Sequence, residues 1–191
     1  MRRLILCLLA ICCTLELVAQ ETTSTPIADS RPIKEFLSSF TAIDVDAPII
    51  LTLTRISNNE APYIIYDTKG VYTSKFTAEV DRKSGTLKIS ERNDPKRESV
   101  TEVKVFFSEL TDINIAKADV TIKGTLESQL LDIYISNDAN LVADIDVLDL
   151  MIFASGKSRI ILTGSTHYQT ANISTAEYDA SRLETISTIT E

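Results

Sequence analysis

Ile113-Asn114-Ile115-Ala116, Ile133-Tyr134-Ile135-Ser136, Met151-Ile152-Phe153-Ala154 and Asn172-Ile173-Ser174 are four versions of one short motif. Taking Ile115, Ile135, Phe153 and Ile173 as equivalent, the steps between them are 20, 18 and 20 residues. A period this short is that of a solenoid, whose units bury their apolar faces only by stacking on one another. Small and polar stretches follow the motifs, among them Lys117-Ala118-Asp119, Asn137-Asp138-Ala139-Asn140, Ser155-Gly156-Lys157-Ser158 and Thr175-Ala176-Glu177. Such residues suit tight corners. A second apolar pair comes after each corner: Val120 and Ile122, Leu141 and Ala143, Ile160 and Leu162. Tyr178 and Ala180 hold that place in a weaker fourth unit. The pattern predicts a short right-handed parallel β-helix of about four coils over residues 110–191.

Residues 33–109 alternate without repeating and predict a strand and hairpin section. Ile43, Val45, Ala47, Ile49, Leu51 and Leu53 form the longest period-two run, the mark of a strand with one buried face. Pro48 interrupts its outward side and implies an edge position or a bend, because proline cannot donate to a ladder. Tyr63-Ile64-Ile65-Tyr66 reads as a short strand. Phe76, Ala78 and Val80, then Gly85, then Leu87 and Ile89, read as a β-hairpin. Val103, Val105 and Phe107 make one more strand. The whole of 33–191 is expected to be a single all-β domain.

The N-terminus reads differently. Arg2 and Arg3 precede the apolar run Leu4 to Thr14, and Leu17-Val18-Ala19 offers a cleavage site. Residues 1–19 are therefore expected to be a secretory signal peptide. Cys12 and Cys13 also admit a lipoprotein signal. Residues 20–32 (QETTSTPIADSRP) read as a flexible leader. All three cysteines fall in the signal, so the exported chain would have no thiol chemistry and no disulfide. Cleavage would leave 17 basic and 26 acidic side chains, a formal charge of −9. That balance excludes nucleic acid as a partner.

Candidate chemistry is sparse, and no catalytic residue or cofactor is assigned. His167, the only histidine, sits in Ser165-Thr166-His167-Tyr168 with no triad pattern around it. Asp112, Asp132 and Asp149 recur at similar places, as do Asp119 and Asp138. Stacked as columns they could offer oxygens to Ca²⁺, but they equally suit a solvated face. Asp144 and Asp146 share one side of a strand. Six tyrosines could stack on sugars, although the chain has no Trp. Asn172-Ile173-Ser174 matches a glycosylation sequon.

Several stretches together resemble the exported adhesin-like family with the head GIN domain, known from Bacteroidetes-type bacteria. Phe40-Thr41-Ala42-Ile43-Asp44-Val45 is similar to the family's opening strand, and Pro48 to Thr54 to the strand that follows. Gly85-Thr86-Leu87-Lys88-Ile89-Ser90 resembles its hairpin return. Val103 to Leu110 and then Ile113-Asn114-Ile115 resemble its entry into coils. Ser155-Gly156-Lys157-Ser158 resembles its small-residue corner, and Gly156 is the one corner that keeps glycine. The resemblance runs from about Phe36 onward, and the chain is shorter than many members. It implies an exported β-solenoid of unestablished function that sits in the periplasm, at the outer-membrane surface or outside the cell. The expected role is a non-catalytic structural or binding module. A cell-envelope glycan or protein is its candidate partner, with self-association through the solenoid end. The rival reading is a polysaccharide-binding or polysaccharide-degrading β-helix protein.

Overall fold

The computed structural model describes residues 31–69, 75–92 and 99–190. The expected signal peptide, the leader to Ser30 and the Asn93–Glu98 loop lie outside them. Twelve strands and no α-helix are present among the described residues. They are β1 (Ile33–Phe36), β2 (Ala42–Asp46), β3 (Ile50–Arg55), β4 (Tyr63–Asp67), β5 (Phe76–Asp81) and β6 (Thr86–Glu91). Then come β7 (Glu102–Phe107), β8 (Asp112–Ala116), β9 (Asp119–Ser136), β10 (Asn140–Ser155), β11 (Arg159–Ser174) and β12 (Glu177–Thr190). The fold is all-β, one strongly curled mixed sheet.

The expected long strand Ile43–Leu53 is two strands, broken at Ala47–Ile49. Pro48 marks a bend, not a sheet edge: β2 lies between β6 and β8, and β3 between β7 and β9. The predicted hairpin is β5 and β6, antiparallel, with Gly85 at φ 67° in its turn. From β9 on, each strand pairs in parallel with the one that precedes it.

Several inward rows run across the sheet and make its core, among them two that span both halves of the chain. One is Ile89–Val45–Ile115–Ile135–Ala154–Ile173. The other is Val103–Leu51–Val120–Leu141–Ile160–Tyr178. Ile115, Ile135 and Ile173 thus share a row. Phe153, expected with them, does not: Ala154 fills the place. Phe153 stands one residue away on the outward row Asn114–Tyr134–Phe153–Asn172. A one-residue shift along a strand carries a side chain to the opposite face. There the Phe153 ring stacks on Tyr134 at 5.0 Å between centroids, a cross-strand contact.

The rows also begin earlier than Leu110. β2 and β3 occupy them, with Val45 beside Ile115 and Leu51 beside Val120, although these partners lie about 70 residues apart in the chain.

The corners fall where expected. Lys117, Asn137, Asp138, Gly156 and Thr175 all have φ between 55 and 70°. Only glycine holds such angles without steric cost, so four of the five positions are mildly strained. Pairs of adjacent exposed residues, Gln129–Leu130, Leu148–Asp149 and His167–Tyr168, break the alternation of β9, β10 and β11 and set off a third side. There the inward row is Leu126–Ile145–Gly164–Leu183.

Candidate functional site

The third side has an incomplete lower rim, and a hollow lies there. β3 pairs with β9 only as far as Thr54 beside Lys123, and β8 begins pairing with β9 at Asp132. Between those points Thr125–Ser128 pairs on one side only, with Asp144–Val147 of β10. No described strand lies on its other side. A groove of about 650 Å³ opens at this step.

Arg55, at the end of β3, forms its lower wall. Its Nη1 donates to Glu127 Oε2 at 2.7 Å, and its Nε donates to the Ser108 carbonyl at 3.4 Å. Glu109, Glu127 and Asp146 line the groove, so carboxylates outnumber the one arginine. Asp146 accepts a hydrogen bond from Ser165 Oγ at 2.9 Å. Leu130 and Leu148, 44 and 40% exposed, supply an apolar strip along the same groove. His167, exposed on β11, lines the far side.

Asp144 and Asp146 do share one side of β10, and hydroxyls engage both. Asp144 accepts from Thr125 Oγ1 at 2.6 Å and Thr163 Oγ1 at 2.7 Å. These two bonds favour the ionised form and hold its carboxyl below the ordinary Asp value.

The acidic column is only partly formed. Asp112 and Asp132 are register partners, but Met151 follows Asp132 in the row. Asp149 lies instead between Leu130 and Tyr168. The periodic reading missed this because Asp149 comes 17 residues after Asp132, two short of the 19-residue step that brings Met151 beside Asp132. Burial first, then the charges of Asp112 and Asp149, push the Asp132 carboxyl up. Its Oδ1 is buried without a hydrogen-bond partner. Among the described residues no group of three or more His, Cys, Asp or Glu is arranged to hold a metal.

The tyrosines do not gather in one place. Tyr63 stacks on Phe106 at 4.2 Å, with Lys34 Nζ 3.8 Å from the Tyr63 centroid. Tyr66 donates to Glu35 at 2.7 Å, and burial with that bond pushes its hydroxyl up to about 12. Tyr178 accepts from Gln169 at 2.8 Å and is raised to about 12 by burial. Tyr168 is exposed near the groove, and Tyr72 lies outside the described residues. Tyr134 and Phe153, 40 and 36% exposed, stand beside a shallow trough of about 310 Å³. Ser136, Ser155 and Ser174 line the trough as well, with Asn114 and Asn172 toward its ends. Asn172 of the sequon is exposed.

Sequence reasoning missed Arg55, Glu127, Leu130 and Leu148. No local signal marks them, because Arg55 and Glu127 lie 72 residues apart and meet only where two sides give way to three.

A family model for the putative auto-transporter adhesin, head GIN domain, matches residues 39–190. Solved structures of similar fold include a putative lipid binding protein from Parabacteroides distasonis. It is 17% identical, with a TM-score of 0.64, over 84% of this chain and 77% of that one. A putative adhesin from Parabacteroides merdae is 16% identical, with a TM-score of 0.62, over 84 and 76%. A putative adhesin from Bacteroides fragilis is 12% identical, with a TM-score of 0.59, over 84 and 95%. At these identities the likeness is one of fold alone. No curated protein matches the chain.

Proposed function

The chain belongs to the putative auto-transporter adhesin family with the head GIN domain, and on that premise we propose that it is an exported, non-catalytic binding module of the cell envelope. Its repeating half is a short right-handed parallel β-helix in this reading. Parallel registers with partners 19 to 21 residues apart support it. The observation that carries the functional reading is the straightness of the outward rows. Asn114, Tyr134, Phe153 and Asn172 stand side by side on four neighbouring strands. Rungs of a sheet repeat about every 4.8 Å, so such a row offers several weak contacts at one fixed spacing, and weak contacts held rigidly together add up. The basic n-region and apolar run of residues 1–19 support export.

A glycan array and a panel of cell-envelope proteins, each probed with the chain from Gln20 onward, test the binding reading. A reducing-sugar assay on the same glycans tests the rival one. Binding without turnover is expected. Turnover of any polysaccharide would overturn the non-catalytic assignment, because Asp144 and Asp146 would then be doing acid–base work.

A further inference from the structure

We propose that the groove on the third side receives an extended polypeptide segment with basic side chains, which joins the sheet as a strand along the rim at Thr125–Gln129. The proposal rests on the reading of the chain as a binding module and names the partner of this groove.

The backbone gives the first reason. Thr125–Ser128 is a strand with a neighbour on one side only among the described residues. Glu127 and Ser128 of this stretch line the hollow, and Gln129 and Leu130 continue it. Backbone groups without a strand partner need one, and an open edge of this kind accepts an added strand. The space is adequate: about 650 Å³ lies within the range of ordinary ligand clefts.

Charge supplies the second reason and the sign of the partner. Glu109, Glu127 and Asp146 face the groove, and Arg55, the one arginine there, is already engaged by Glu127 at 2.7 Å. The chain carries a net charge of −8, so its long-range field draws cations and repels phosphate or uronate. Leu130 and Leu148 give the third reason. They offer an apolar surface to alternate side chains or to the aliphatic stems of Lys and Arg. No Phe, Tyr or Trp ring lines the groove to stack on a neutral sugar.

The test is titration of the ¹⁵N-labelled chain from Gln20 onward with a heptapeptide that alternates lysine and valine. A second peptide has the same sequence with alternate backbone nitrogens methylated. A neutral hexasaccharide and phosphatidylglycerol vesicles serve as the other probes. Binding of the first peptide should shift the amides of Glu127–Leu130 and Asp146–Leu148. Methylation should weaken it at least tenfold, because it removes the strand pairing and keeps the charge. A Glu109→Gln, Asp146→Asn double variant should bind about tenfold more weakly and with a shallower salt dependence. Its unfolding midpoint should be unchanged, since both side chains are exposed. Equal binding of the methylated peptide, amide shifts on another face, or no peptide binding would each overturn the proposal. Hexasaccharide or array binding without peptide binding would overturn the site and leave the binding module standing. Silence from every probe and panel would sink both.

Discussion

Residues 42–55 and residues 112–123 sit side by side in the same rows, yet they reach those rows by opposite routes. In the C-terminal half a strand's neighbour is the next one in the chain: Leu141 lies against Val120 and Ile160, 21 and 19 positions away. In the N-terminal half the neighbours are distant. Leu51 lies against Val103 and Val120, 52 and 69 positions away. The filling of the core differs too. Leu131 and Leu150 continue into Gln169 and Thr188 along one row. Gln169 is buried there and satisfied, donating to Tyr178 and accepting from Thr185 Oγ1 at 3.2 Å. Membership of a row is decided by which face a side chain presents, whereas chain order decides only whether the row shows as a period.

The sharpest test of the shared rows is at Gly164, which must be bare. A Cβ there would fall 2.0 Å from the Ile145 carbonyl oxygen, at φ 104°. Gly164→Ala is expected to cost more than about 3 kcal/mol, because the backbone of β10 must move. Gly124→Ala meets nothing within 4 Å, at φ 77°, and should cost about 1–2 kcal/mol of backbone strain. Urea midpoints of the two variants check this; equal losses would mean that the third side is looser than described.

Next is the seam between the halves. Ile115 is fully buried between Val45 and Ile135, so Ile115→Ala should cost about 3 kcal/mol. Ile173, half-buried at the far end of the row, should cost about 1 kcal/mol. If Ile115→Ala melted only one half by hydrogen exchange, the rows would not be one core.

Register itself can be broken. Ala154→Phe overfills the row between Ile135 and Ile173 and should cost about 2 kcal/mol. Phe153→Ala loses only the outward stack on Tyr134, about 1 kcal/mol. The opposite order in thermal melts would return Phe153 to the interior.

The smallest effects separate two aspartates of the repeating half. Asp144, whose value is lowered by its hydroxyl partners, adds stability above the ordinary Asp range and loses it as pH falls through the lowered value. Asp144→Ala should therefore cost about 1 kcal/mol at pH 7 and almost nothing at the acid end. Asp132, raised by burial, costs stability as pH climbs through its raised value. Asp132→Asn should raise the urea midpoint slightly at pH 7 and leave it unchanged at pH 3. Matching pH profiles for the two variants would contradict the assigned environments.

The repeat was legible because Ile115, Ile135 and Ile173 are large and apolar and stand in one row, the first two on adjacent strands and the third two strands further on. Its third member was misplaced for a physical reason. Phe153 is the more hydrophobic of two adjacent residues, but Ala154 suits the space between two isoleucines, and Tyr134 holds the ring outside. The alternation of Ile43 to Leu53 was legible, with the break at Pro48. Its partnership with β8 and β9 was not, since no periodicity links residues 70 apart. The groove was invisible for the same reason, being made where a distant strand stops short.

The placement of β2 and β3 between β6–β7 and β8–β9 also sets the order in which the chain can close. Joining segments 70 residues apart carries about 1 kcal/mol more loop-closure cost than joining segments 20 apart. The later strands can zip against each other as they emerge. Ile43, Val45, Leu51 and Leu53 come first from the ribosome and must wait, with their apolar faces uncovered, for neighbours made later. The part of the chain synthesised early is thus among the last to be sealed.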